Sequence, residues 1–310
     1  MPRVDADRSA VIPAAIRNAW RKTAPEVEGI WNGALPGFVF SGQPEEDTGG
    51  VPIFCYHVVE PAGFEADLRF LRDNGYTALD ACAIVGHLGG SAPAPPRSVM
   101  LTFDDGPRNF HDVVFPLLRR YSTRAVAFVA PGLHAERAES AEGEARPMTW
   151  DEIRRIHDSG LVEFQSHTLE SRYVPNWPAP AGLAGVDPAI ENPRRGPARE
   201  FADDLAASVA LLEQKLPGAR VRHLAFPIYI GSEAAIASAR ALGFEACYWG
   251  LTPGRAVNRS GDSPFHVSRI SDEFLRRLPG SGRISVAGML NERLRRIRAA
   301  RAWRSHYPAG

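Results

Sequence analysis

The sequence predicts an α/β fold built on a mostly parallel sheet, and three observations predict it. Apolar runs of strand length alternate with helical patterns along the chain. The sharpest run, residues 98–103, ends in two adjacent carboxylates, Asp104 and Asp105, and then in Gly106-Pro107, a turn signal. At 310 residues the chain is long enough for one large domain with additions. A strand that stops in an Asp pair sets both acids at its carboxyl end, where open and barrel-type α/β sheets bind ligands. Successive strand residues point to opposite faces, so the two acids need not share a task. One can hold a cation while the other takes a proton. A single Asp here would be explained as a helix N-cap; two after an apolar run point to chemistry.

The elements follow in order. Residues 12–30 carry a helical pattern with Ile16, Trp20 and Val27 as apolar positions, broken or restarted at Pro25. Residues 31–52 are rich in Gly and Pro and read as connection. Residues 51–59 form the first strand, with Tyr56 and His57 near its end. Phe64, Leu68 and Leu71 give a helical face that Asn74-Gly75 stops. Residues 110–120 are the next helix, and 125–130 the next strand, ended by Pro131-Gly132. Thr149 and Glu152 have the spacing of a capping box, so a helix starts at Trp150. Residues 161–166 are a strand ending at His167. Residues 199–216 are a long helix with Leu205, Val209 and Leu212 on one face, and 222–226, 247–250 and 266–270 are further short strands. Residues 289–307 form an amphipathic helix: Leu290, Leu294, Ile297, Trp303 and Tyr307 fall near one face, and six arginines take much of the rest. That pattern suits a terminal helix docked on the domain or an interfacial helix on a membrane.

Composition narrows the function. Formal net charge is zero, so nothing global suggests a nucleic-acid partner. Cys55, Cys82 and Cys247 are odd in number and widely spaced, which argues against a disulfide framework or a thiolate zinc site. Cys55 and Cys247 lie in apolar stretches and read as buried small hydrophobes. Residues 1–20 hold five charged side chains and no apolar signal region, and no run reaches the ~18 residues of a membrane span. The expected location is therefore the cytoplasm.

Four stretches carry a family resemblance. Leu101-Thr102-Phe103-Asp104-Asp105-Gly106 resembles the first motif of the polysaccharide deacetylases, carbohydrate esterase family 4. Residues 51–57, ending in Cys55-Tyr56-His57, resemble the opening strand of the poly-N-acetylglucosamine deacetylase branch. Ser166-His167-Thr168 resembles the metal-binding His-Thr motif, and Leu224-Ala225-Phe226-Pro227 a later strand ending in Pro. Order and spacing agree over residues 51–271. The resemblance implies a distorted (β/α) barrel with fewer units than the eight-fold form. It gives three segments: an extension at 1–50, a catalytic domain at 51–275, and a tail at 276–310.

The resemblance also implies roles. Asp104 is the general base, His57 the general acid, and Asp105 and His167 ligands of a divalent metal, zinc first, with manganese or cobalt as alternatives. In the hydrolysis this implies, a divalent metal brings the pKa of bound water from ~15.7 towards ~7, a base takes the water's proton and an acid protonates the leaving amine. The family pattern has a second His three or four residues beyond Thr168. Here Ser171 and Arg172 hold those places, so the third ligand falls to Ser171, Glu170 or an extra water. His134 and His223 are outside donors of last resort. In the later motif Ala225 stands where some relatives carry an Arg that orients the base, and Ile228-Tyr229-Ile230-Gly231 is longer than the usual Tyr-Gly. Pro227 and Tyr229 are expected to line the substrate groove. Residues 173–197 hold six prolines and Trp177, and read as a substrate-covering loop with Trp177 as a sugar-stacking face. The expected function is metal-dependent removal of N-acetyl groups from an amino sugar, glycan or glycoconjugate. The alternatives are a degenerate relative that binds glycan without hydrolysis, and an amide hydrolase acting on a small N-acyl metabolite.

Overall fold

The computed structural model describes residues 35–42, 48–136, 146–171, 198–229, 231–251, 255 and 257–304. The expected helix at 12–30 and the loop with Trp177 lie outside them. Eight short strands form one parallel sheet: β1 (Ile53–Tyr56), β2 (Thr77–Ala78), β3 (Ser98–Asp104), β4 (Ala125–Val129), β5 (Val162–Ser166), β6 (His223–Ala225), β7 (Ala246–Tyr248) and β8 (Ile270–Ser271). The order is β7-β6-β5-β4-β3-β1-β8, with β2 paired to the start of β3. A parallel bridge from Tyr248 to Val267 brings the segment before β8 back against β7, so the sheet curls into a distorted barrel.

The period of two divides the apolar residues between two cores. Phe54, Val99, Leu101, Phe103, Ala127 and Val129 pack outward under the helices. Ile53, Met100, Val126, Phe128 and Tyr248 pack inward with one another. The outer layer is covered by α1 (Pro61–Asp73), α3 (Phe115–Tyr121), α4 (Trp150–His157), α5 (Ala198–Lys215) and α6 (Glu233–Ala241). The inner layer includes one helix, α2 (Ala81–Leu88), whose Ala81, Ile84 and Leu88 fill the barrel beside Val51 and Ile53. Its position next to β2 and the first residues of β3 closes the amino end of the barrel and leaves the carboxyl end for chemistry.

The sequence showed no clear amphipathic stripe at α2, because its eight residues are mostly small or apolar even though only Ala81, Ile84 and Leu88 are buried and Cys82 is exposed. Asp80 caps it, accepting from the Ala83 N–H at 2.9 Å. The capping box at α4 is present: Thr149 Oγ1 accepts from Glu152 N, and Glu152 Oε2 accepts from Thr149 N at 2.8 Å. Arg146 locks that carboxylate from the other side with bonds of 2.9 and 2.6 Å. Residues 110–120 differ from the expected single helix. Phe110–Val114 is a π turn, and only then does α3 begin. Pro116 has no N–H to offer the carbonyl of Asp112 and its ring crowds that carbonyl, so the helix widens ahead of it.

The expected strand at 266–270 is shorter. A 3₁₀ turn at Pro264–His266 precedes it and only Ile270–Ser271 pair as β8. The terminal helix, α7 (Val286–Arg304), departs from the single apolar face expected of it. Met289 and Glu292 are buried against the body, while Leu290 and Leu294 are 51% and 53% exposed. Glu292 is held there by Arg276, which also bonds Asp67 of α1. No helix among the described residues is long and apolar enough to cross a membrane.

Candidate active site

Four strand ends meet at the open mouth. β3 delivers Asp104 and Asp105, β5 delivers His167, β1 delivers His57, and the turn after β6 delivers Pro227 and Tyr229. Alternation along β3 puts Asp104 on the same inward face as Met100 and Thr102.

Asp104 is buried and held by Arg269, a residue not foreseen from the motifs. The guanidinium donates to both carboxylate oxygens, Nη1 to Oδ1 at 2.7 Å and Nη2 to Oδ2 at 2.9 Å. Arg269 also donates from Nε to the Trp249 carbonyl at 3.0 Å and lies over the rings of Phe128 and Tyr229. Burial by itself would lift the Asp104 carboxyl. The Arg269 charge overrides it, with help from its hydrogen bonds, and holds the carboxyl at about 2. Burial likewise opposes the Arg269 charge, and Asp104 more than offsets that. The Cys55 thiol donates to Asp104 Oδ2 at 3.4 Å; burial pushes its pKa up, so it stays protonated. The resemblance implied an orienting Arg at the position of Ala225; in this chain Arg269, from the segment leading into β8, holds the carboxylate instead. The signal was an Arg within Val267-Ser268-Arg269-Ile270, a strand-like run where a buried cation requires a partner.

Asp105 and His167 face each other, Oδ1 to Nε2 at 3.6 Å. His167 Nδ1–H donates to the Ala225 carbonyl at 2.9 Å, which leaves the Nε2 lone pair aimed at Asp105. Both residues stand beside unusual backbone: Asp105 has φ 69° and Thr168, next after His167, φ 64°. The turn beyond is pinned by Thr168 N to Ser166 Oγ at 3.1 Å and Leu169 N to Asp204 Oδ2 at 2.8 Å. Donors on one tetrahedral ion, with bonds of ~2.0–2.1 Å, lie roughly 3.4 Å apart, so the pair fits one divalent cation. The fit stops at two donors. Among the described residues no third His, Cys, Asp or Glu is grouped with them. Ser171 ends the turn at φ 56°.

The outside histidines have other places. His223 accepts or donates at the Tyr248 hydroxyl, 3.2 Å away inside the barrel. His134 Nδ1–H donates to the Met148 carbonyl at 2.7 Å, and its buried Nε2 has no hydrogen-bond partner among the described residues. Its ring lies under Gly106, where a Cβ would come within 2.9 Å of His134 Cε1, so the turn after the Asp pair requires glycine at its φ of 68°. Burial lowers the pKa of both histidines to about 4 and keeps them neutral.

His57 is half-buried and meets the Tyr229 hydroxyl, Oη to Nε2 at 3.3 Å. Pro227 is buried and opens the short turn that carries Tyr229. Cys55 and Cys247 are buried free thiols, as expected.

The chain is similar to known polysaccharide deacetylases in sequence and in fold. A family model described as polysaccharide deacetylase matches residues 91–247. The chain is 32% identical over 152 residues to the poly-beta-1,6-N-acetyl-D-glucosamine N-deacetylase of Escherichia coli (strain K12). That match takes in 42% of this chain and only 22% of the longer relative. Among solved structures, IcaB from Ammonifex degensii superposes with a TM-score of 0.60 at 26% identity, over 76% of this chain and 97% of that one. The de-N-acetylase from Aggregatibacter actinomycetemcomitans shares the fold with a TM-score of 0.54 at 24% identity, over 71% and 93%.

Proposed function

The chain belongs to the polysaccharide deacetylase family, and from that membership we propose that it hydrolyses the N-acetyl groups of an amino-sugar glycan. The observation that carries the reading is the convergence at one barrel mouth of a buried carboxylate fixed by Arg269, a facing Asp–His pair and a reachable histidine. Asp105 and His167 would hold a divalent cation, zinc by preference with manganese or cobalt as alternatives, and that cation would polarise the acetyl carbonyl and acidify water. Asp104 takes a proton from the water whose oxygen attacks the carbonyl carbon. Arg269 keeps that carboxylate ionised and aimed. As the carbon–nitrogen bond breaks, His57 gives its proton to the leaving amine, and acetate and a free amino sugar result. Pro227, Tyr229 and Trp177 are proposed to line the sugar site.

The test is acetate release from a β-1,6-linked N-acetylglucosamine oligomer by protein supplied with zinc, manganese or cobalt. Wild type should release acetate, and Asp104→Asn should lose a factor on the order of 10²–10⁴. No acetate with any of the three metals would remove the function. A second reading, glycan binding without hydrolysis, is favoured by one observation, that no third His, Cys, Asp or Glu joins the pair among the described residues. It predicts oligomer binding with no acetate. A small N-acyl substrate is separated from both by assaying N-acetylglucosamine beside the oligomer. Cytoplasmic placement belongs to the same proposal and is checked by cell fractionation. Contact of α7 with an anionic lipid surface is a separate proposal, supported by exposed Leu290 and Leu294 and by four arginines and no acidic side chain over residues 296–310, whereas Arg293 and Arg295 are paired with Glu273 and Glu292.

A further inference from the structure

We propose that Tyr229 is a positioning residue for His57, its hydroxyl fixing the orientation of that imidazole. Several independent features hold the phenol in place. The turn after β6 carries two successive non-glycine residues in the left-handed region, Ile228 at φ 53° and Tyr229 at φ 70°. Such a φ is a genuine outlier for a β-branched residue and persists only where the surroundings impose it. Here the surroundings are specific. Tyr229 N–H donates to the Phe226 carbonyl at 3.0 Å, and the Tyr229 carbonyl accepts from Gly250 N–H at 2.9 Å. Gly250 lies so close that a Cβ there would stand 2.7 Å from the Tyr229 Cβ. The ring then lies over the Arg269 guanidinium, 5.7 Å from Cζ to centroid, and the hydroxyl reaches His57 Nε2 at 3.3 Å. The two rings meet edge to face at 72°.

A phenol suits this task. A histidine that gives up a proton and recovers it needs a neighbour that tolerates both states. A hydroxyl accepts from Nε2–H and donates to bare Nε2, whereas a carboxylate can only accept. Tyr229 also spans the two halves of the site, with its ring on the cation that holds Asp104 and its oxygen on His57.

The catalytic half of this inference rests on His57 serving the proposed deacetylation; the structural half does not. Tyr229→Phe keeps the ring on Arg269 and removes only the hydroxyl. Imidazole ¹⁵N spectra of metal-free protein read His57 directly, its signals identified by their loss in His57→Gln. In Tyr229→Phe they should move by several ppm, while the other histidines stay in place. With an active wild type, kcat should fall by about tenfold with KM within twofold. Incorporation of 3-fluorotyrosine, which acidifies the phenol without removing it, is the second probe and should shift the same signals if the Phe variant folds poorly. Unchanged His57 signals in both preparations would overturn the proposal, even if turnover fell, because Tyr229 would then act on substrate and not on His57. A wild type without turnover would remove the proposed function and leave the His57 signals to decide Tyr229.

Discussion

Arg269 and Asp104 close on each other through two parallel hydrogen bonds of 2.7 and 2.9 Å, with the side chains 0% and 2% exposed. A pair this deep is expensive to form and more expensive to break. Arg269→Met should therefore cost about 3–5 kcal/mol, because it leaves an uncompensated buried carboxylate. The sign with pH is fixed by the depressed Asp104 pKa. The pair's stabilisation is whole above the ordinary carboxylate value of ~3.9 and is lost as pH falls through about 2. Urea denaturation should show wild type and Arg269→Met far apart at pH 7 and converging towards pH 2. A variant as stable as wild type at pH 7 would contradict the bidentate pair.

No third His, Cys, Asp or Glu joins the Asp105–His167 pair among the described residues, and Ser171→His should supply an imidazole. Histidine is tolerated at the positive φ of Ser171 better than most residues, and imidazole is a far better zinc ligand than a hydroxyl. Calorimetric titration of metal-free protein should give tighter zinc binding for Ser171→His than for wild type, and His167→Ala should abolish it. Equal affinity in wild type and Ser171→His would mean that another group already fills the position.

The two buried histidines make the fold acid-sensitive. His134 and His223 have folded pKa values near 4, below the ordinary 6.5, so the unfolded chain takes up protons first. Their share of stability is intact above 6.5 and falls as pH drops from 6.5 to about 4, by about 1.4 kcal/mol per pH unit for each histidine. His223→Gln keeps a polar partner for Tyr248 and should flatten that slope by one histidine's worth. An unchanged slope would show that His223 is not the group taking up the proton.

The α7 contact predicts salt-sensitive binding to vesicles. Each Arg near an anionic surface contributes about 1 kcal/mol, screened at high salt. Wild type should float with phosphatidylserine vesicles in 50 mM salt (roughly a 14 Å screening length) and leave them in 500 mM. It should ignore phosphatidylcholine. Replacing Leu290 and Leu294 by Ser should cut the bound fraction severalfold. Wild type that stays in solution at low salt would end this proposal.

What the sequence revealed was what is written contiguously. The apolar run into Asp104-Asp105, the Thr149–Glu152 cap and the strand into His167 are local, and all stand where local rules put them. Family membership was legible for the same reason. Arg269 was missed because its partner lies 165 residues away and nothing near it in sequence announces a carboxylate. The helix α2 was missed because its eight residues are mostly small or apolar, which leaves little polar contrast to mark the buried face of Ala81, Ile84 and Leu88. The face of α7 was misjudged because Glu292 turns inward to meet Arg276, a pairing that overrides the apolar pattern. Pro116 could have been read as a break, and the π turn ahead of it is the form that break takes.

With α2 stoppered into its amino end, the barrel is a cup and not a tube. Nothing can be drawn through it. A sugar chain would have to lie across the rim and dip one acetamido group at a time, and the released acetate would leave by the way it came in. On that geometry the enzyme would need no free chain end, and the length of polymer it recognises would be set by the loops around the rim.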